Sequence, residues 1–128
     1  MKELKALNKR TAPKSVMPEK IIQFGEGNFL RAFVDWIIWN TDQKTDFNGS
    51  VVVVQPIERG MADWLNGQDC LYHVNLQGKE NGEPVNTLQR IDVISSALNP
   101  YSQYQAFMAL AERPGIRFVI SSPTEAGI

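Results

Sequence analysis

The sequence predicts an α/β domain, a parallel sheet with helices on both faces and an antiparallel hairpin inserted between its strands. Three observations predict it. A short apolar run, Ile21-Ile22-Gln23-Phe24, stops at Gly25-Glu26-Gly27 and opens directly into a long apolar helical pattern. Val51-Val52-Val53-Val54 is continuous and β-branched, the pattern of a strand covered on both faces. Tyr72, Val74 and Leu76 alternate with polar neighbours ahead of Asn81-Gly82, which marks a hairpin turn.

Taken in order, residues 1–18 are polar, hold Pro13 and Pro18, and read as a flexible basic arm lying outside the fold. Residues 1–20 carry six Lys/Arg against two Glu, although the whole chain has a net charge of -1. The first strand covers about residues 20–24. A helix from Asn28 to about Lys44 is apolar on several faces (Phe29, Leu30, Phe33, Val34, Trp36, Ile37, Ile38, Trp39), so it is expected to be buried against the sheet and a further element. Arg31 and Asp35, four apart, are placed to pair on its surface. Asn48-Gly49 turns the chain into the valine strand, closing a strand–helix–strand unit of the length a parallel crossover requires. A short helix over about 57–66 follows, then the hairpin, with residues 85–94 as its second strand. Asn99-Pro100 opens a third helix carrying Tyr101, Tyr104, Phe107, Met108 and Ala111, whose aromatic residues read as core. Arg113-Pro114-Gly115 ends it, and Phe118-Val119-Ile120 forms a last, third parallel strand.

At 128 residues with 43% hydrophobic and 21% charged positions, the chain is one ordinary globular domain at most. The charge balance gives no reason to expect nucleic acid or a membrane surface, and no apolar run approaches the roughly 20 residues of a membrane span. One His and one Cys exclude a structural zinc site. The single Cys70 has no internal disulfide partner, which suits a reducing cytoplasm.

The Gly25-Glu26-Gly27 turn is where the chemistry is expected. After a strand and before a helix, the first glycine permits a tight turn and the second lets a pyrophosphate approach the backbone, while the helix start presents N–H groups to the anion. Such a turn makes the sheet Rossmann-like, although Leu30 stands where a third glycine is usual. The candidate cofactor-binding residues are Ile21, Ile22, Gln23, Phe24, Gly25, Glu26, Gly27, Asn28, Phe29, Leu30, Arg31 and Ala32. Glu58 joins them as the carboxylate nearest the end of the second strand, placed for a ribose. Thr124 joins them beyond the C-terminal end of the last strand, together with Glu125. Arg59 beside Glu58 would suit a 2′-phosphate, so the residues alone leave NADP open. His73, on a hairpin strand, and Cys70 read as structural. S-adenosylmethionine is a weaker alternative ligand for the same turn, and a nucleotide-binding module without chemistry is an alternative role.

Three separated segments resemble the mannitol dehydrogenase family of polyol and sugar-acid dehydrogenases. These are Gly25-Glu26-Gly27-Asn28-Phe29-Leu30-Arg31-Ala32, then Gln68-Asp69-Cys70-Leu71-Tyr72, in which Cys70 stands for the family's glycine, and Pro114-Gly115-Ile116-Arg117-Phe118-Val119 with Thr124-Glu125-Ala126-Gly127. Within the family the first segment is most similar to the branch that interconverts altronate and tagaturonate, with another polyol or sugar-acid dehydrogenase, such as a fructuronate or mannitol enzyme, as the alternative. The resemblance implies that residues 19–128 are the N-terminal part of an NAD-binding Rossmann domain in a cytoplasmic oxidoreductase of hexuronate catabolism. It further implies that the catalytic lysine lies in a C-terminal domain absent from this chain, which also meets the sugar-acid substrate. No residue here is then catalytic, and the isolated chain is expected to be inactive.

Overall fold

The computed structural model describes residues 5–123. Its centre is a four-stranded, all-parallel sheet in the order β5-β2-β1-β6, built from β1 (Glu19–Phe24), β2 (Ser50–Val54), β5 (Ile94–Leu98) and β6 (Phe118–Ser121). Alternate residues of the two central strands point to opposite faces. On one face Ile21, Val51 and Val53 pack with Ile38 of α1 (Asp35–Lys44), with Ala62 and Leu65 of α2 (Ala62–Gly67), and with the hairpin base at Tyr72 and Ile91. On the other, Ile22, Val52 and Val54 meet Leu110 and the half-buried Phe107, at the end of α3 (Tyr104–Ala109) and the 3₁₀ turn after it. The expected parallel sheet with helices on both faces is therefore present.

The hairpin pairs β3 (Tyr72–Glu80) with β4 (Glu83–Ile91), and the Glu80–Glu83 register leaves a two-residue turn. Asn81 and Gly82 both have positive φ, 52° and 83°, as a type I′ turn demands. The second strand thus ends at Ile91, and residues 94–98 leave the hairpin to become a fourth parallel strand where three were expected. Ser95 and Ser96 weaken its apolar signal, and side chains add to the support it has from its ladder with β2 and from buried Ile94 and Ala97. Ser95 Oγ donates to Val51 O, while the Asn66 amide donates to Ala97 O at 2.7 Å and accepts from Ala97 N at 3.1 Å.

Three further expectations are corrected. The long helical stretch begins with a π turn, Leu30–Val34, and buries Leu30, Asp35 and Ile38, whereas Phe29, Phe33 and Ile37 are 60%, 53% and 43% exposed. Its outer faces have no covering element among the described residues. The third helix starts at Tyr104 rather than at Pro100: the Asn99 carbonyl closes a single turn with Ser102 N–H and Gln103 N–H, and Gln103 then leaves helical geometry at φ -130° and ψ 45°. Residues of the N-terminal arm lie against the body where a solvated arm was expected: Lys9 N–H donates to Asp69 Oδ2, Lys14 Nζ to Asp69 O, and Ser15 N–H to Asp92 Oδ2.

Candidate cofactor site

The parallel strands run 3-2-1-4 in chain order, so the connections change direction between β1 and β6. Ligands of open α/β sheets bind at such a switch point, beyond the carboxyl ends of the strands. Gly25 sits there. Its N–H donates to Val54 O at 3.0 Å and its φ is +127°, a conformation that side-chain-bearing residues rarely adopt. A Cβ on Gly25 would stand 2.8 Å from Leu30 Cδ1, whereas a Cβ on Gly27 would meet nothing within 4 Å. The first glycine is thus required by the turn itself, and the second leaves open space over the start of the helix.

Gly27, Asn28, Phe29 and Ala32 are exposed around that space, and Phe24 and Gly25 are half-buried beside it. Ile21, Ile22, Gln23 and Leu30 are buried, so their side chains shape the turn from beneath. Glu26 is folded inward as well. Burial raises its pKa, opposed by a hydrogen bond from the Met61 backbone and by the Arg31 charge. Arg31 does not pair with Asp35, which is fully buried and bonded to Gln23. Instead Arg31 Nε donates to Glu26 O at 2.7 Å and Nη2 to Asn28 Oδ1 at 3.0 Å. Its guanidinium also lies 5.4 Å from the Trp64 ring centre and 5.5 Å from that of Tyr72. Arg31 therefore braces the glycine turn.

Beyond β2, Gln55 is 3% exposed and holds its own loop, donating to Ile57 O and Glu58 O and accepting from Ala62 N–H. It is spent on that loop, while Glu58 is exposed at the same carboxyl edge of the sheet as the glycine turn. Gly60 makes room for Gln55, since a Cβ there would come within 2.5 Å of Gln55 Cδ. Thr124 and Glu125 lie outside the described residues. His73 is exposed, and Cys70 is buried with its thiol pKa pushed up to about 11 by desolvation, which agrees with a structural role.

Sequence reasoning missed a cleft of about 380 Å³ beside the turn, lined by Phe24, Val54, Pro56, Tyr101, Tyr104 and Phe107 among others. Tyr101 and Tyr104 are 61% and 62% exposed, so the aromatic spacing read as core lines an apolar slot instead. Their position within four residues of the Asn99-Pro100 break was the available signal. A larger cleft of about 430 Å³ lies under the arm at the opposite, amino edge of the strands, near Ser50 and Ser95, away from the glycine turn. Among the described residues no His/Cys/Asp/Glu group is arranged to hold a metal, and no helix is long and apolar enough to cross a membrane.

Known proteins resemble the chain in sequence and in fold. The chain is 73% identical over 125 residues to altronate oxidoreductases of Phocaeicola vulgatus and Bacteroides thetaiotaomicron, and 48% identical over 126 residues to one of Escherichia coli. Each match covers 98% of this chain and 26% of the relative, so the chain spans about a quarter of their length. Among solved structures, Pseudomonas fluorescens mannitol 2-dehydrogenase in ternary complex with NAD and D-mannitol superposes with a TM-score of 0.71. That match has 23% identity and covers 91% of this chain and 26% of that one. A substrate-free D-sorbitol dehydrogenase gives a TM-score of 0.72 at 23% identity, covering 89% and 24%. Residues 19–128 match the mannitol dehydrogenase Rossmann domain, and the chain belongs to that family.

Proposed function

We propose that this chain is the NAD-binding portion of a cytoplasmic oxidoreductase that interconverts altronate and tagaturonate in hexuronate catabolism. The observation that carries the cofactor reading is the Gly25–Gly27 turn at the switch point, with open space over Gly27. The residues fit a dinucleotide. Backbone N–H groups at Asn28 and Phe29 stand at a helix start, where pyrophosphate is favoured. Glu58 is exposed to accept from a ribose hydroxyl, which favours NAD over a 2′-phosphorylated cofactor despite Arg59. The slot between Pro56 and Tyr104 has the apolar walls that a flat adenine needs. When bound, the nicotinamide supplies hydride transfer, and these residues bind and orient it. The substrate reading is supported by the names of the relatives. The sugar acid and the acid/base group belong to protein beyond these residues.

The test is a fluorescence titration of the folded 128-residue chain with NADH, using NADPH and S-adenosylmethionine as comparators and circular dichroism as the folding control. Saturable binding with NADH preferred is expected. A folded chain that ignores NADH, or prefers S-adenosylmethionine, would overturn the cofactor reading. Altronate-dependent NADH production by this chain alone would overturn the placement of catalysis elsewhere.

A further inference from the structure

A carboxyl group and an amide are buried together beneath the glycine turn. Gln23 and Asp35 are each 0% exposed. The Gln23 Nε2 group donates to Asp35 Oδ2 at 3.0 Å and to Gly25 O at 3.1 Å, tying strand end, turn and helix together through one NH₂. The π turn belongs to this arrangement, because Asp35 N–H reaches back five residues to Leu30 O at the point where Asp35 enters the core. Two oxygens are left over: Gln23 Oε1 and Asp35 Oδ1 are both buried and both lack a donor. With Asp35 ionised, the site would hold a buried negative charge and two orphaned acceptors, each costly. A carboxylic acid and a primary amide pair through two hydrogen bonds, N–H to carboxyl oxygen one way and O–H to amide oxygen the other. The first is in place, and the two buried oxygens left without a donor are the ones the second would join.

We propose that Asp35 is held as the neutral acid, donating its proton to Gln23 Oε1, and that this acid–amide pair is a positioning device fixing the Gly25 carbonyl and hence the phosphate-binding turn. Two charged or titratable groups face it. Arg31, one turn back on the same helix, favours the ionised form but is engaged with Glu26 O and Asn28 Oδ1. Tyr72 on β3 donates its hydroxyl to Arg31 O, and its own pKa is raised by burial first and by Asp35 second. Desolvation outweighs both the Gln23 bond and Arg31, raising the Asp35 pKa from 3.8 to about 7. The importance of the device for cofactor binding rests on the proposed function; the pair itself does not, and its test uses no cofactor.

Infrared spectra of the wild-type chain at pH 6 are expected to show the carbonyl stretch of a protonated acid. That band should shift on ¹³C-aspartate labelling, which separates it from Glu26, and should fade as pH rises through 7. It should persist in Asp42→Asn and vanish in Asp35→Asn. Because the folded pKa lies above the unfolded one, the stability Asp35 contributes is full below 3.8 and is lost as pH rises to about 7. Asp35→Asn keeps both hydrogen bonds without a titrating proton, so its melting temperature relative to wild type should climb across that window and level off above it. With ¹⁵N-glycine labelling, the Gly25 amide resonance should move with the same midpoint in wild type and stay still in Asp35→Asn. Absence of the labelled acid band in wild type at pH 6 would overturn the proposal whether or not Asp35→Asn folds. A band that titrates without moving Gly25 would overturn the positioning role.

Discussion

At the scale of single residues, the two glycines of the turn do different jobs. Gly25 carries a backbone conformation and a close approach that an alanine cannot share, so Gly25→Ala is expected to destabilise the fold by about 1–3 kcal/mol. Gly27→Ala meets no neighbour and should change stability by no more than about 0.5 kcal/mol, while weakening NADH binding if the pyrophosphate lies over it. Urea denaturation and NADH titration of the two variants separate the roles, and equal behaviour in both assays would contradict them. Cys70 makes a second residue-scale prediction. Its thiol is buried and its pKa is pushed up to about 11, so little thiolate exists at pH 8. Iodoacetamide should label the native chain far more slowly than the urea-unfolded chain. Comparable rates would mean that the segment opens freely.

At the scale of elements, side chains finish what the backbone pattern leaves open. The loop after β2 is shaped by Gln55, and Gly60→Ala would push Gln55 out of its place. The expected result is a loss of about 1–3 kcal/mol from disrupted buried hydrogen bonds, with a narrower preference for NADH over NADPH as Glu58 loses its fixed loop. An unchanged cofactor preference would remove Glu58 from the proposed site. The short strand β5 depends on Asn66 in the same way, since its amide serves both backbone groups of Ala97. Asn66→Ala should cost about 1–3 kcal/mol, and hydrogen exchange should show protection lost first at residues 94–98. These supports also explain what the sequence concealed. Ile94-Ser95-Ser96-Ala97-Leu98 is too short and too polar to announce a strand, and Asn66 lies 31 residues from its partner.

For the whole molecule, β6 lies at one edge of the sheet among the described residues, with Phe118 and Val119 51% and 66% exposed, and in the 128-residue chain such an edge favours association. Val119→Lys is expected to reduce concentration-dependent light scattering with little change in melting temperature, and a large drop in melting temperature would show that Val119 is packed. The parallel sheet, both core faces, the hairpin turn and the glycine turn between strand and helix were legible in the sequence. Each rests on local chemistry: β-branched runs, period-two alternation, Asn81-Gly82, and glycines between a strand and a helix. Tertiary structure alone decided the rest. It sent Arg31 to Glu26 and Asn28 rather than to Asp35, turned Asp35 inward onto Gln23 through a π turn, and spent Gln55 on its own loop. It also brought Tyr101 and Tyr104 beside Pro56 as the walls of a slot. Periodicity reports which face of an element is apolar. Which polar group a side chain satisfies, and whether an aromatic ring lines a core or a cleft, depends on partners that only the folded chain brings within reach.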